Sequence, residues 1–226
     1  MELLWSLMPT FLEGLGMTVL LLIVAGVLSV VLGTIIAAMR ISPIAALRAF
    51  AALWTEIARN TPLTLVFFFT VFVLPLLGFR VGDLFPWLEA AQGYVVLACF
   101  ALTYYTSPFV AEALRSGING VPLGQAEAAR SIGLGFGPTV ALVILPQAFR
   151  MTIPPRINVL IALAKNTSVA GGFFVVELFA TTRQLANEFE SITLPILFTA
   201  AALYLVITVP LGFAAGRLEK RWVVQR

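Results

Sequence analysis

The sequence predicts an all-α integral membrane protein that crosses the bilayer about five times. Composition carries the first part of that expectation. The chain of 226 residues is 60% hydrophobic and only 11% charged, with a mean hydropathy of +1.01, whereas soluble domains carry charge on about a quarter of their residues. Spacing carries the second part. Uncharged runs near 20 residues recur, and about 20 apolar helical residues cross a hydrocarbon core of roughly 30 Å. The third observation, an uneven placement of Lys and Arg, orients the chain once the elements are set out.

Residues 1–13 form an acidic and aromatic lead-in with Glu2, Trp5 and Glu13. They carry no basic n-region and no small-residue cleavage site follows, so the next segment is expected to be a retained span rather than a signal peptide. That first span covers 14–39. Its small residues Ala25, Gly26, Gly33, Ala37 and Ala38 suit either close helix contact or a lipid-facing surface. Arg40 and Arg48 flank Ser42-Pro43 in a basic turn. The second span, 50–77, is interrupted by Glu56, Arg59 and Pro62. Residues 78–92 are polar and aromatic, with Trp87 suited to the membrane interface, and 93–110 is a clean third span. A long Gly-rich polar loop, 111–147, follows. Within it Glu127-Ala128-Ala129 reads as a short helix between Gly120 and Gly124 on one side and Gly133, Gly135 and Gly137 on the other. The apolar stretch 137–149 is too short to cross alone. Pro154-Pro155 read as the start of a fourth span, 154–176. Residues 177–191, with Glu177, Arg183, Glu188 and Glu190, read as a polar loop before the fifth span, 194–216.

Five crossings put the termini on opposite sides, and the basic residues choose the direction. One side holds Arg40, Arg48, Arg115, Arg130, Arg150, Arg217, Lys220, Arg221 and Arg226, and the other holds Arg80 and Arg183. Nine against two places the richer side in the cytoplasm. The N-terminus is then outside, and the C-terminus and the 111–147 loop are cytoplasmic. Arg156 sits close enough to the Pro154-Pro155 start to snorkel to that surface.

Glu127-Ala128-Ala129, Gly133 after three further residues, and Val143-Ile144-Leu145-Pro146 after nine more resemble the EAA loop of bacterial ABC importer permeases. Val143, where that pattern prefers Ile, is its one departure. Arg59-Asn60-Thr61-Pro62-Leu63 and Lys165-Asn166-Thr167-Ser168 are similar to segments of the polar amino-acid permeases in that family. The run from Ser116 to Asn119, with Gly124 to Ser131, is similar to glutamate-uptake permeases of actinobacteria. The resemblance implies the type I ABC importer permease fold in a bacterial inner membrane. It implies that Gly124, Glu127, Ala128, Ala129 and Gly133 form the docking surface for an ATPase dimer, which binds ATP and Mg. It also implies a second permease, identical or not, and an extracytoplasmic binding protein that delivers substrate. Embedded in lipid, this chain would be a transport subunit and not an enzyme.

The residues themselves add a candidate path. Arg59 lies eleven residues beyond Arg48, and Lys165 eleven beyond Pro154, which is roughly 16 Å along a helix and near mid-membrane. An ionised group there is costly unless it is paired or faces water. Both are followed by Asn-Thr. Pro62 suggests a helix break, with Asn60 and Thr61 capping a new half-helix, and a half-helix N-terminus beside a cation suits a carboxylate. The competing reading of Arg59 is a structural pair with Glu56, one turn away. For Lys165, Asn166, Thr167 and Ser168 it is polar packing between helices, or a pair with Glu56 across the bundle. Two such cations favour an acidic amino acid, glutamate or aspartate, over glutamine, arginine or histidine.

Other classes find little support. There is no histidine, and the single cysteine, Cys99, lies in an apolar run, so metal and disulfide chemistry are not expected. Neither lysine sits in a phosphate-binding loop, so ATP would be bound by another subunit. A formal charge of +3 is too small and too dispersed for nucleic acid. An ion-coupled transporter or channel, and a membrane scaffold, stand as the alternatives.

Overall fold

The computed structural model describes residues 2–222, which are helical with no strand among them. In chain order these are α1 (Glu2–Ile41), α2 (Ala45–Asn60), and α3 (Leu63–Phe68), which runs through a π-helical turn Phe69–Val73 into α4 (Leu74–Leu76). The short α5 (Val81–Leu84) and the long α6 (Ala90–Asn119) follow, then α7 (Leu123–Ser131) and α8 (Phe136–Pro138). A π-helical turn Thr139–Ile144 leads into α9 (Leu145–Asn166), which tightens into a 3-10 turn Thr167–Gly172. The chain closes with α10 (Leu178–Glu188) and α11 (Thr193–Trp222).

Three helices are long and apolar enough to cross a membrane by length and composition: Glu2–Ile41, Ala90–Gly117 and Glu190–Leu218. A fourth crossing arises if α2 and the Leu63–Leu76 rod count as one bent span. Several expected boundaries are corrected. Residues 2–13 are not a separate lead-in but the first turns of α1. At about 1.5 Å per residue its 40 residues exceed the thickness of a bilayer with its headgroups. Leu7 and Phe11 on this extension pack against Leu178, Leu185, Ile196 and Ala200 of α10 and α11, and that apolar contact keeps it helical. The expected 50–77 span is two rods at 104° to each other. The 111–147 loop starts later than its polarity implied, because α6 continues to Asn119.

Pro154-Pro155 are not a helix start; both lie inside α9. The proline in the first turn of α9 is Pro146, so the rule that tolerates proline there applies one motif earlier. Interior prolines persist in membrane helices where neighbouring groups take up the freed carbonyls. The apolar 137–149 stretch is the beginning of this same helical run. The fourth span does not reach 176 as one helix, because α9 ends at Asn166.

Helix α1 is the axis of the bundle and lies against α6, α9, α10 and α2. Its small residues make this possible. A Cβ built on Gly33 would stand 2.7 Å from the Ser107 carbonyl oxygen and from Val110 Cβ on α6. One on Gly14 would stand 2.5 Å from Thr181 Oγ1. Ala25, Gly26 and Ala37 are buried as well, and Ala38 alone of that set is exposed. The stripe is a helix–helix contact. The main core lies beside it, where Leu21 and Ala25 meet Phe67, Leu97, Leu102, Leu163 and Phe173.

Gly33→Val is expected to destabilise the purified chain by about 1–3 kcal/mol through overpacking, read as a lower unfolding midpoint in detergent. Gly212→Val, where a Cβ meets nothing within 4 Å, should leave the midpoint in place.

Candidate functional site

The helix break expected at Arg59-Asn60-Thr61-Pro62 is present, since Pro62 stands in extended backbone between α2 and α3. Asn60 and Thr61 do not cap the new helix, however. Asn60 Nδ2 donates to the Glu56 carbonyl at 2.8 Å and to Glu56 Oε1 at 2.9 Å. Thr61 Oγ1 donates to the Ile57 carbonyl at 2.7 Å. Both side chains close the last turn of α2, because its terminal carbonyls lack helical partners and lie within easier reach than the donors of α3. Among the described residues Glu56 forms no ion pair with Arg59 or Lys165. Instead the Arg59 guanidinium stands over the Phe109 ring, 5.8 Å from its centroid, on the face of α6 that carries Glu112. Glu112 accepts from Arg115 at 2.8 Å and pairs with Arg40 at 3.4 Å. Arg40 and Arg115, assigned to one side from sequence, therefore meet at one end of the bundle.

Lys165, Asn166, Thr167 and Ser168 mark the end of α9. The exposed Lys165 joins no ion pair among the described residues. It lies 20 residues from Leu145, roughly 30 Å along the rod, which is further than the count from Pro154 suggested. Ser168 Oγ donates to the Lys165 carbonyl at 2.7 Å and Thr167 Oγ1 to the Ala164 carbonyl at 2.8 Å, and these bonds turn the helix into its 3-10 continuation. Thr167 is fully buried with its hydroxyl toward the Tyr204 phenol. It is not on an open surface here, whereas Lys165 is. Among the described residues no hydrogen bond or ion pair joins the two basic-Asn-Thr segments. They are joined through the residues that follow each, because Phe67 of α3 stacks on Phe173 at 5.2 Å and Phe72 packs on Phe173 and Phe174. A cavity of about 870 Å³ between α1, α2, α3 and α6 is lined mainly by apolar residues, with Thr61, Thr70, Thr103 and Tyr104 among them.

One polar centre escaped the sequence reading. Glu177, assigned there to a loop, is completely buried. Its Oε1 accepts from the Ala180 N–H at 2.8 Å, and its Oε2 from the Phe179 N–H and the Tyr204 hydroxyl, each at 2.9 Å. Thr18 Oγ1 lies 3.5 Å from Oε2 and accepts from the Leu178 N–H at 3.1 Å. The available signal was local: an acid between Phe173-Phe174-Val175-Val176 and Leu178-Phe179-Ala180, directly before a helix.

The short helix expected around Glu127 is α7. Glu127, Ala128 and Gly124 are exposed, and Ala129 is buried. Leu123 and Ile132 at its two ends are 81% and 79% exposed, an unusual apolar display for a polar loop. Gly133 has φ +92°. Its N–H donates to the Arg130 carbonyl at 3.0 Å, and the Leu134 N–H to the Ala129 carbonyl at 3.1 Å. This is the Schellman closure of a helix, which places its C′ residue in left-handed backbone. The three-residue spacing from Ala129 to Gly133 thus has a geometric cause.

Replacing Gly133 tests that cause. In an L-residue the conformation costs roughly 1–2 kcal/mol, so Gly133→Val should speed amide exchange at Leu134 about tenfold. Gly133→Asn, which tolerates this backbone, should change it much less.

Residues 29–224 match the family described as the binding-protein-dependent transport system inner membrane component. The glutamate transport system permease protein GluC of Corynebacterium glutamicum, and that of Corynebacterium efficiens, are each 38% identical to this chain over the whole of both sequences. The probable glutamine ABC transporter permease protein GlnM of Bacillus subtilis is 36% identical over 93% of this chain and 92% of its own. Among solved structures, an amino acid ABC transporter crystallised with histidines aligns with a TM-score of 0.85 at 27% identity, over 96% of each chain. The inward-facing MetNI methionine ABC transporter shares the fold, with a TM-score of 0.72 at 19% identity over 97% of this chain and 99% of that one. The chain therefore belongs to the binding-protein-dependent inner membrane components, as a multi-pass permease subunit of an amino-acid ABC importer.

Proposed function

We propose that this permease carries glutamate or aspartate inward, taking it from an extracytoplasmic binding protein when an ATPase dimer closes on ATP and Mg. Family membership removes the ion-coupled transporter, channel and scaffold readings. The observation that carries the choice of substrate is Lys165. It is an exposed cation at the break of α9, with no carboxylate of the described chain paired to it, beside Asn166 and Ser168. An ammonium group placed at a helix break is costly in a membrane unless it meets water or an anion, and a side-chain carboxylate supplies that anion. The full-length relatives named for glutamate point the same way. Arg59 has a weaker claim, because its guanidinium rests on Phe109 beside the Glu112 cluster. In this reading it contributes positive field rather than direct contact, with Asn60 and Thr61 holding the bend.

The exposed edge of α7, including Gly124, Glu127, Ala128, Leu123 and Ile132, is the surface for the ATPase, and Gly133 fixes its end. ATP and Mg reside on that partner. The permease pairs with itself or with a second permease within the lipid. The excess of Lys and Arg on one side supports an N-terminus outside and a C-terminus in the cytoplasm. The C-terminal cations Lys220, Arg221 and Arg226 complete that charge count, but their side chains lie outside the described residues.

Uptake of labelled glutamate into proteoliposomes holding this chain, its co-purifying partners and the binding protein tests the substrate. Unlabelled aspartate should compete, and glutamine and arginine should not. Lys165→Gln should lower glutamate uptake at least tenfold, the equivalent of about 1.4 kcal/mol, and Arg59→Gln should lower it less. Equal competition by glutamine or arginine would return both cations to recognition of the carboxylate that all amino acids share.

A further inference from the structure

We propose that Glu177 is a positioning residue: it ties the loop that follows Lys165 and Ser168 to α1 and α11 together, and so sets where those side chains stand. The inference rests on the reading of residues 165–168 as the substrate-facing segment, and it begins from the N-terminus of α10. A helix start leaves four backbone N–H groups without helical partners, and in a membrane none can be left to water. All four are satisfied here. The Glu177 N–H goes to the Val175 carbonyl at 3.1 Å, that of Leu178 to Thr18 Oγ1, and those of Phe179 and Ala180 to the Glu177 carboxylate.

A cap alone does not call for glutamate. Ser, Thr, Asp and Asn are the preferred residues at that position, and each would bring less buried charge or a shorter side chain. The extra methylene gives Glu177 reach. Its Oε2 extends past the α10 backbone to the Tyr204 hydroxyl on α11 and toward Thr18 on α1. The surroundings are shaped to admit it. A Cβ on Gly171 would collide with Glu177 Oε1, and one on Gly14 with Thr181. Arg183 Nη2 donates to the Gly171 carbonyl at 3.2 Å, which closes the loop from the other side. Thr167, two residues from Lys165, is buried facing Tyr204.

The other flank of the loop is also held. Phe174 takes φ +65°, a costly conformation for a bulky residue, and its ring is packed on Tyr94 and Phe72. Residues 167–177 are therefore gripped by aromatic rings on one side and by the Glu177 tie on the other. Releasing the tie frees the side that bears on Thr167.

The test reads position directly. In the full chain with its partners in proteoliposomes, with Cys99→Ser to remove the native thiol, Lys165→Cys reports local exposure through its rate of labelling by a water-soluble maleimide. Glu177→Gln puts an amide where both oxygens accept, and should change that rate about tenfold. Tyr204→Phe should shift it in the same direction by a smaller factor. Glu177→Asp keeps the cap but not the reach, so it should behave at position 165 like Glu177→Gln. Gly82→Cys on α5, where a Cβ meets nothing within 4 Å, should label at an unchanged rate in every background.

An unaltered rate at position 165 in Glu177→Gln and Tyr204→Phe overturns the proposal. A wild-type rate in Glu177→Asp overturns it too, since Glu177 would then be a cap and nothing more. If Glu177→Gln does not assemble, Tyr204→Phe decides alone. Labelling needs no substrate, so failure of glutamate uptake leaves this result standing.

Discussion

Backbone that leaves a helix inside lipid must find its own hydrogen-bond partners, because no water is there to supply them. That constraint governs where this chain bends and what it places at each bend. Along the rods, threonine hydroxyls return to the carbonyl four residues back, as Thr34 does to Val30, Thr55 to Ala51 and Thr70 to Val66. Such polar side chains consume their own donors and travel through apolar segments at little cost. At the interruptions the same device is concentrated. Asn60 and Thr61 finish α2, Thr167 and Ser168 finish α9, and Thr18 with Glu177 begins α10. What reads in sequence as a set of substrate ligands is, for Asn60, Thr61 and Thr167, first the means by which the backbone can turn.

The cations divide by the same logic. Arg40 and Arg115 share Glu112, which joins the end of α1 to α6. Arg59 is drawn over Phe109 on that face, and in place of the Glu56–Arg59 pair of the competing reading Glu56 holds the local bond to Asn60. A cation resting on an aromatic ring near an existing carboxylate is partly stabilised before any ligand arrives. Lys165 has no comparable arrangement among the described residues. The two segments share a sequence word but differ in electrostatic state.

The membrane class was legible because composition and run length report burial in lipid directly, and the EAA spacing was legible by its resemblance to a family pattern, whose glycine the structure explains as the left-handed end of a Schellman turn. Helix ends were less so. Pro154-Pro155 looked like a start because soluble helices rarely hold prolines inside, a rule that weakens where neighbouring helices surround the rod. The lead-in looked separate because Glu2 and Glu13 read as solvated, although Leu7 and Phe11 between them form an apolar face that only α10 and α11 reveal. Glu177 was hidden for a related reason. Its partners Thr18 and Tyr204 lie 159 and 27 residues away, and no local periodicity reports such distances. An acid near Arg183 and Glu188 takes on the appearance of its neighbours.

The corrected start of α9 changes the mechanical argument as well. Were the helix to begin at Pro154, a hinge would separate α7 from Lys165. Instead α7 packs on the π-helical turn Thr139–Ile144, which runs without a break into α9, whose 22 residues make a rod of about 33 Å. Movement of α7 would be delivered along one element to Lys165, and the loop beyond it would have to resist if the motion is to act there. Resistance is what the aromatic stack and the Glu177 tie provide. Arg59 sits on another rod, α2, which reaches α9 indirectly, through α6 and through the contacts of Phe67 and Phe72 with Phe173 and Phe174. If an ATPase docks on α7 as proposed, the end of α9 lies on a shorter mechanical path from it than the α2 bend does.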